Sequence, residues 1–215
     1  MDSGIKIDHK VFHSKNTLGI YVHIPFCQSK CFYCDFNTYA NIDHQIDDYI
    51  KSLLSEISIW SKILKGSSIK SIFFGGGTPS YINQKYIEKI LNSIKKNFIF
   101  NNNIEITLET NPNDVKKNKF KDLLTIGINR ISMGVQSFDD YLLRMLGRRH
   151  DSKEAENSYK LLREIGFKNL SIDLMYGLPY QSITSWNKTL KKICPVGPRS
   201  YFFIFITSGK RYAIK

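Results

Sequence analysis

Short apolar runs rich in β-branched and aromatic residues alternate with longer amphipathic runs along most of this 215-residue chain. Six runs are typical of β-strands, and the last is almost wholly apolar, as a strand covered on both faces is. The runs are residues 19–25, 70–75, 104–110, 130–136, 169–175 and 201–207. This alternation predicts an α/β fold in which a parallel sheet, joined by helical crossovers, is closed or partly closed into a barrel.

The amphipathic runs between these segments predict helices. Apolar residues recur at helical spacing within residues 46–64 and 87–98, and again at 161–166, where the final glycine ends the stripe. Asp151 and Ser152 are candidate caps for the third helix. In barrels of alternating strands and helices, functional groups gather at the carboxyl ends of the strands. We therefore expect the chemistry of this chain at that end.

Three cysteines, Cys27, Cys31 and Cys34, lie within eight residues just after the first predicted strand. Thiolates select zinc or iron–sulfur clusters, and one short loop can wrap all three around a single cluster. A [4Fe–4S] cluster held by three thiolates leaves one iron free for the amino and carboxylate groups of S-adenosylmethionine. Zinc with His23 as fourth ligand is the disfavoured alternative, because structural zinc ligands usually come as two separated pairs. Cys194 is expected to be a small buried hydrophobe.

Polar groups and glycines lie near the carboxyl ends of four predicted strands or just after them. They are Gly76, Gly77 and Thr78 after the second strand, Glu109 in the third, Gln136 and Arg148 in and after the fourth, and Asp173 in the fifth. Glycine lets the backbone approach a ligand closely, although a glycine-rich turn before a helix is equally well explained as turn chemistry. Asp173 lies inside an apolar strand, where an unpaired carboxylate is costly, so it should have a partner.

Together these motifs resemble a known family. The Cx3CxxC spacing, with Tyr33 before the last cysteine, resembles the signature of the radical SAM superfamily. Five motifs in order resemble the oxygen-independent coproporphyrinogen III oxidase family of that superfamily. They are Tyr-Val-His-Ile-Pro-Phe-Cys, Gly-Gly-Gly-Thr-Pro-Ser, Glu-Thr-Asn-Pro, Arg-Ile-Ser-Met-Gly-Val-Gln-Ser-Phe-Asp and Asp-Leu-Met-Tyr-Gly-Leu-Pro. The cysteine loop is closest to that of the HemW-type haem chaperones, since Phe36 stands where the oxidase subgroup has a further cysteine.

The resemblance implies a partial (β/α)6 barrel of the radical SAM type over residues 18–215, after a flexible extension at 1–17. It implies that Cys27, Cys31 and Cys34 ligate a [4Fe–4S] cluster. It also implies S-adenosylmethionine contacts from Tyr21, Tyr33, Gly76, Gly77, Thr78, Glu109, Gln136, Arg148 and Asp173. The sequence beyond Trp186 matches the family only loosely, and we expect the carboxyl-terminal domain of the family to be missing.

Two functions follow from the resemblance. The favoured one is a haem chaperone that delivers haem to haemoproteins. The alternative is an oxygen-independent coproporphyrinogen III oxidase, which converts propionate side chains to vinyl groups; a truncated inactive fragment is a third interpretation. Whether the chain is an enzyme therefore stays open. His9, His13, His44 and His150 are candidate axial haem ligands, each more typical of an ordinary surface histidine.

The net charge of +12 reflects 31 Lys and Arg against 19 Asp and Glu. Because the lysines are scattered and form no basic stripe with interleaved aromatics, we interpret most of them as solvated helix faces and expect no nucleic-acid partner. Peripheral contact with an anionic membrane surface and a homodimer both remain open.

No apolar run reaches the roughly 18 residues of a membrane helix, and no leader precedes the cysteines, which predicts a cytoplasmic protein. An electron donor is an expected partner.

Overall fold

The computed structural model describes residues 17–193 and the backbone of residues 200–205. Its strands are β1 (Thr17–Ile24), β2 (Phe26–Cys27), β3 (Tyr39–Ala40), β4 (Ser68–Gly76), β5 (Ile99–Thr110), β6 (Arg130–Gln136), β7 (Asn169–Tyr176) and β8 (Ser200–Phe205). Six of them form one sheet in the order β1-β4-β5-β6-β7-β8, and every neighbouring pair is parallel. Among the described strands, β1 and β8 are the two edges. The predicted α/β architecture and open, partial barrel are confirmed.

Helices connect successive strands of this sheet. They are α1 (Ile46–Ile63), α2 (Gln84–Asn97), α3 (Lys117–Ile126), α4 (Asp140–Met145), α5 (Ser152–Ile165) and α6 (Ile183–Ile193). The predicted start of α5 is confirmed by a capping box, in which Asp151 accepts from the Glu154 amide at 2.7 Å and Glu154 accepts from the Asp151 amide at 2.9 Å. Gly166 ends α5 with a left-handed φ of 116°.

The strand β5 begins five residues earlier than the sequence pattern predicts. Ile99 and Phe100 already pair with β4, after which the register shifts before pairing resumes at Glu105. Asn103 lies in this irregular stretch with a φ of 60°. The sequence pattern leaves residues 99–103 between a helix and a strand, whereas the structure includes them in the strand as an irregular stretch.

Two hydrophobic clusters support the barrel. The large one fills the space between the sheet and α1, α2, α3 and α5, and includes Phe74, Leu108 and Ile131. The small one comprises Leu142, Leu146, Met175 and Leu178, and Tyr33 of the cysteine segment packs against it. The small cluster therefore forms the apolar support beneath the segment that carries the three thiols.

The lysines are mostly exposed, as predicted, but Lys119 is an exception. Its half-buried amine donates to the carbonyl oxygens of Ser80 at 2.5 Å and Ile82 at 2.8 Å, and burial lowers its pKa. Lys119 thereby ties α3 to the turn before α2.

No helix in the described part of the chain is long and apolar enough to span a bilayer. Thr17 belongs to β1, and the rest of the predicted extension lies outside the described residues.

Candidate functional site

The three cysteines lie on one segment at the carboxyl end of β1. We define this segment, residues 27–38, as the cysteine loop; its ends are joined by the short parallel pair β2 and β3. The loop is anchored to the turn after α4, because the Phe32 amide donates to the Leu146 carbonyl at 3.2 Å. Arg149 also bonds the Gln28 side chain from that turn. The thiol geometry is thus set by contacts distant in sequence.

The thiols of Cys27, Cys31 and Cys34 are free and line the same cavity. Cys27 is only 8% exposed, and this burial raises its pKa, with a smaller contribution from the other two thiols. Arg148 Nη1 donates to Cys31 Sγ at 3.4 Å, so a cation is already in place beside one thiol.

His23, the fourth ligand of the zinc alternative, uses both ring nitrogens within the protein. Its Nδ1 lies 3.1 Å from the Tyr21 hydroxyl, and its Nε2 lies 2.9 Å from the Asn37 carbonyl oxygen. His23 is therefore a structural residue that joins β1 to the cysteine loop.

A cavity of about 290 Å³ lies between the cysteine loop and the inner face of β4, β5, β6 and β7. Eleven of the twelve predicted site residues line it: Cys27, Cys31, Tyr33, Cys34, Gly76, Gly77, Thr78, Glu109, Gln136, Arg148 and Asp173. The twelfth, Tyr21, is 58% exposed and stacks on Phe73 with 6.1 Å between ring centroids. The structure thus brings the strand-end residues to one place and leaves Tyr21 beside the cavity.

Packing alone requires glycine at the end of β4 and in the turn that follows it. A Cβ on Gly77 would lie 2.8 Å from the Phe26 carbonyl oxygen, and one on Gly76 would lie 2.7 Å from the His23 ring. The amides of Gly76, Gly77 and Thr78 all have acceptors within the protein. Any ligand contact from this turn must therefore use its carbonyl oxygens or the Thr78 hydroxyl.

Two carboxyl groups, Glu109 and Asp173, line the cavity, and neither takes part in an ion pair among the described residues. Burial and the neighbouring Asp173 raise the pKa of Glu109 to about 7, despite a hydrogen bond from the Gly76 amide at 3.2 Å. Burial likewise raises the pKa of Asp173. The Ser132 hydroxyl, which donates to it at 2.9 Å, and then the nearby Arg130 and Arg148 oppose this shift. The predicted partner of Asp173 is thus a serine.

Gln136 and Arg148 face each other across the end of β6. A Cβ at Gly134 would lie 2.9 Å from Gln136 Nε2, so the glycine makes room for that amide. Arg148 Nη2 donates to the Gly134 carbonyl at 2.5 Å and to Asn111 Oδ1. The Oε1 atom of Gln136 and Nε of Arg148 are buried without a hydrogen-bond partner in the described chain. Buried polar atoms left open in this way indicate a polar ligand.

Several cavity residues were not predicted. Those on the strands or just after them include Phe73, Asn111, Arg130, Ser132 and Ser171. A signal for three of them exists, because alternate residues of a strand share one face: Arg130 and Ser132 are in step with Gln136, and Ser171 is in step with Asp173. Asn111 lies two residues after Glu109 in a motif already singled out. Following the side-chain alternation from each predicted strand-end residue back along its strand would have identified most of the cavity wall.

Neither of the candidate axial histidines within the described residues, His44 and His150, lines this cavity. His44 is exposed and adjoins the Gln45 side chain, whereas His9 and His13 lie outside the described residues. The sequence suggests a surface position for His150. This prediction is wrong, because the residue is only 4% exposed. Its Nε2 lies 3.0 Å from the Val135 carbonyl oxygen, so that nitrogen is not free to ligate iron.

The profile of the Radical SAM superfamily matches residues 21–193. The heme chaperone HemW of Haemophilus influenzae is 42% identical over 186 residues, which cover 84% of this chain and 49% of that protein. The oxygen-independent coproporphyrinogen III oxidase of Escherichia coli is 35% identical over 187 residues, covering 86% of this chain and 41% of that protein.

Among solved structures, coproporphyrinogen III oxidase (HemN) from Escherichia coli, a radical SAM enzyme, matches with a TM-score of 0.87 and 32% identity. The match covers 95% of this chain and 47% of that one. The chain thus spans about half the length of the relatives it matches. With its profile matched over most of its length, a six-stranded parallel partial barrel and three thiols at the strand ends, the chain belongs to the radical SAM superfamily.

Proposed function

We propose that Cys27, Cys31 and Cys34 hold a [4Fe–4S] cluster and that S-adenosylmethionine binds beside it. The single observation that carries this proposal is that three free thiols share a cavity with charged groups of both signs. None of the ion pairs among the described residues involves Glu109 or Arg148. A ligand that carries a carboxylate, an amino group and several hydroxyl donors can bind these groups. Gln136 Oε1 and Arg148 Nε, which have no hydrogen-bond partner among the described residues, provide further contacts.

Each wall of the cavity contributes a different contact. The Arg148 guanidinium is suited to a carboxylate, and the Thr78 hydroxyl with the carbonyls of its turn is suited to an amino group. The carboxyl groups of Glu109 and Asp173 are suited to hydroxyl donors such as those of a ribose. Tyr33 covers the cavity from the loop side, and burial raises its pKa far above the usual value, so it stays neutral. When bound, the cluster and S-adenosylmethionine together supply one-electron chemistry.

Anaerobic reconstitution with iron and sulfide tests the cofactor proposal. We expect four irons per chain and a change in the electron paramagnetic resonance spectrum of the reduced cluster when S-adenosylmethionine is added. Arg148→Gln keeps the iron and weakens that response, because it removes the cation offered to the cofactor's carboxylate. A reconstituted protein that holds zinc, or that holds iron without any response to S-adenosylmethionine, would refute the proposal.

For the whole protein we propose a haem chaperone of the HemW type. Two relatives named heme chaperone HemW are 42% and 38% identical to this chain, and both matches cover 84% of it. Phe36 lines the cavity and is 65% exposed. By the resemblance, it stands at the position where the oxidase subgroup carries a further cysteine. An exposed ring at the cavity entrance is suited to a flat apolar ligand.

Assays with haem and with coproporphyrinogen III distinguish the two proposed functions. Titrating haem into the reconstituted protein should give a saturable change in the Soret absorption, and the bound haem should pass to an apo-haemoprotein. Incubating the reduced protein with S-adenosylmethionine and coproporphyrinogen III should give no vinyl product. Vinyl product without haem transfer would favour the oxidase instead. Cytoplasmic location, an electron donor and a homodimer remain predictions.

A further inference from the structure

The backbone at the end of β6 is strained at Gln136. This residue has a φ of 70°, and the Ser137 amide donates to the Val135 carbonyl at 2.9 Å, two residues back. A positive φ with a hydrogen bond of that span is the classic γ-turn, which is rare and strained for any residue other than glycine. Surrounding contacts must therefore hold Gln136 in this conformation.

His150 supplies such a contact from the start of the segment before α5. Its ring is 4% exposed, and its Nε2 lies 3.0 Å from the same Val135 carbonyl oxygen. Because a carbonyl oxygen only accepts, Nε2 must carry a hydrogen. Burial first, and the nearby Arg148 second, lower the pKa of His150 to about 3, so the ring is neutral at physiological pH. The turn carbonyl thus receives two donors, one from within the turn and one from a buried neutral imidazole.

The turn determines where the Gln136 amide goes. The side chain lies back over Gly134, where a Cβ on residue 134 would come within 2.9 Å of Nε2. In this position Oε1 is buried and has no partner among the described residues, although it faces the cavity beside Arg148. An extended backbone at Gln136 would instead carry the amide away from this place.

We propose that His150 is a positioning residue that holds the γ-turn at Gln136 and so keeps the Gln136 amide aimed into the cavity for S-adenosylmethionine. The proposal rests on the proposed cofactor. It also makes a prediction for the cofactor-free protein: replacing Gln136 by glycine, which accepts a positive φ without strain, should reduce the need for His150.

A double-mutant cycle on the purified cofactor-free chain tests that prediction by urea unfolding. His150→Met removes the donor at similar volume, and His150→Gln keeps an amide donor at the same reach. We expect His150→Met to lower the folding equilibrium constant about tenfold, the effect of losing one buried hydrogen bond, and to lower it clearly less in the Gln136→Gly background. Equal losses in both backgrounds would overturn the proposal, as would a His150→Gln protein that fails to fold.

A second measurement connects the turn to the cofactor. Equilibrium dialysis of the reconstituted protein should show binding of S-adenosylmethionine weakened about fivefold to tenfold by His150→Met, as one lost buried hydrogen bond implies, and restored by His150→Gln. Unchanged affinity in His150→Met would overturn the positioning role. Failure of the wild-type protein to bind S-adenosylmethionine would refute the proposed cofactor, while the unfolding cycle would still report on the turn by itself.

Discussion

Glu109→Gln tests whether the cavity holds a buried acid that is protonated near neutral pH. Burial and the neighbouring Asp173 raise the pKa of Glu109 from 4.5 to about 7 in the folded protein. Between these two values the folded chain keeps a proton that the unfolded chain releases, so stability falls as pH rises. The glutamine has the same shape, accepts the same bond from the Gly76 amide and cannot ionise.

The size of the effect follows from the two pKa values. The difference between 4.5 and about 7 corresponds to about 3 kcal/mol of free energy of unfolding, since each tenfold change in the proton equilibrium is worth about 1.36 kcal/mol. This destabilisation is absent well below pH 4.5, grows through the range between the two pKa values and is complete only well above pH 7. Relative to wild type, Glu109→Gln should therefore gain up to about 3 kcal/mol between pH 5 and pH 8.

Urea unfolding of the cofactor-free protein at half-unit steps from pH 5 to pH 8.5 measures this gain. Glu105→Gln is the matched control, because Glu105 is exposed on the same strand. Its unfolding free energy should parallel that of wild type across the whole range. Parallel curves for Glu109→Gln and wild type would refute the conclusion that burial and Asp173 raise the pKa of Glu109.

Cys31→Ala should leave fewer than four irons per chain after reconstitution and abolish the spectral response to S-adenosylmethionine, as iron analysis and paramagnetic resonance will show. Gly77→Ala should cost about 2–4 kcal/mol in urea unfolding, because its Cβ would lie 2.8 Å from the Phe26 carbonyl oxygen. Lys119→Met should cost about 1–3 kcal/mol in the same assay, because carbonyl oxygens of Ser80 and the residues after it lose their donor.

Matched controls separate these effects from general damage. Lys121→Met changes an exposed residue of the same helix and should stay within about 0.5 kcal/mol of wild type. Cys194→Ala should retain iron, since that cysteine is expected to be a small hydrophobe. Gly77→Ala with wild-type stability would show that the turn has room for a side chain, and Lys119→Met behaving like Lys121→Met would remove the assigned role of its amine.

The sheet and the strand-end residues could be predicted because both depend on local periodicity. Strand runs and amphipathic stripes recur at regular spacing, and parallel topology brings their carboxyl ends to one edge. This is enough to place Glu109, Gln136 and Asp173 together. Arg130 was within reach of the same logic, because it shares a face of β6 with Gln136, but it lies at the start of the strand and not at its carboxyl end.

Other features depend on contacts that no short pattern encodes. His150 reads as a surface histidine because its neighbours are charged, yet the fold buries it against Val135. Lys119 reads as part of a solvated basic run, yet α3 packs close enough to the turn before α2 to capture its amine. The positive φ of Gln136 is likewise invisible in the sequence, since glutamine rarely adopts it.

The anchoring of the cysteine loop has a consequence for the order of assembly. A ribosome delivers all three thiols early, whereas the arginine that donates to Cys31 emerges 117 residues later. The thiols are near neighbours in the nascent chain, but their final arrangement awaits the strand and turn that carry Arg148 and Arg149. Cluster insertion should therefore follow folding of the barrel, and a nascent chain released before Arg148 would carry every cysteine of the motif without the surface that orients them.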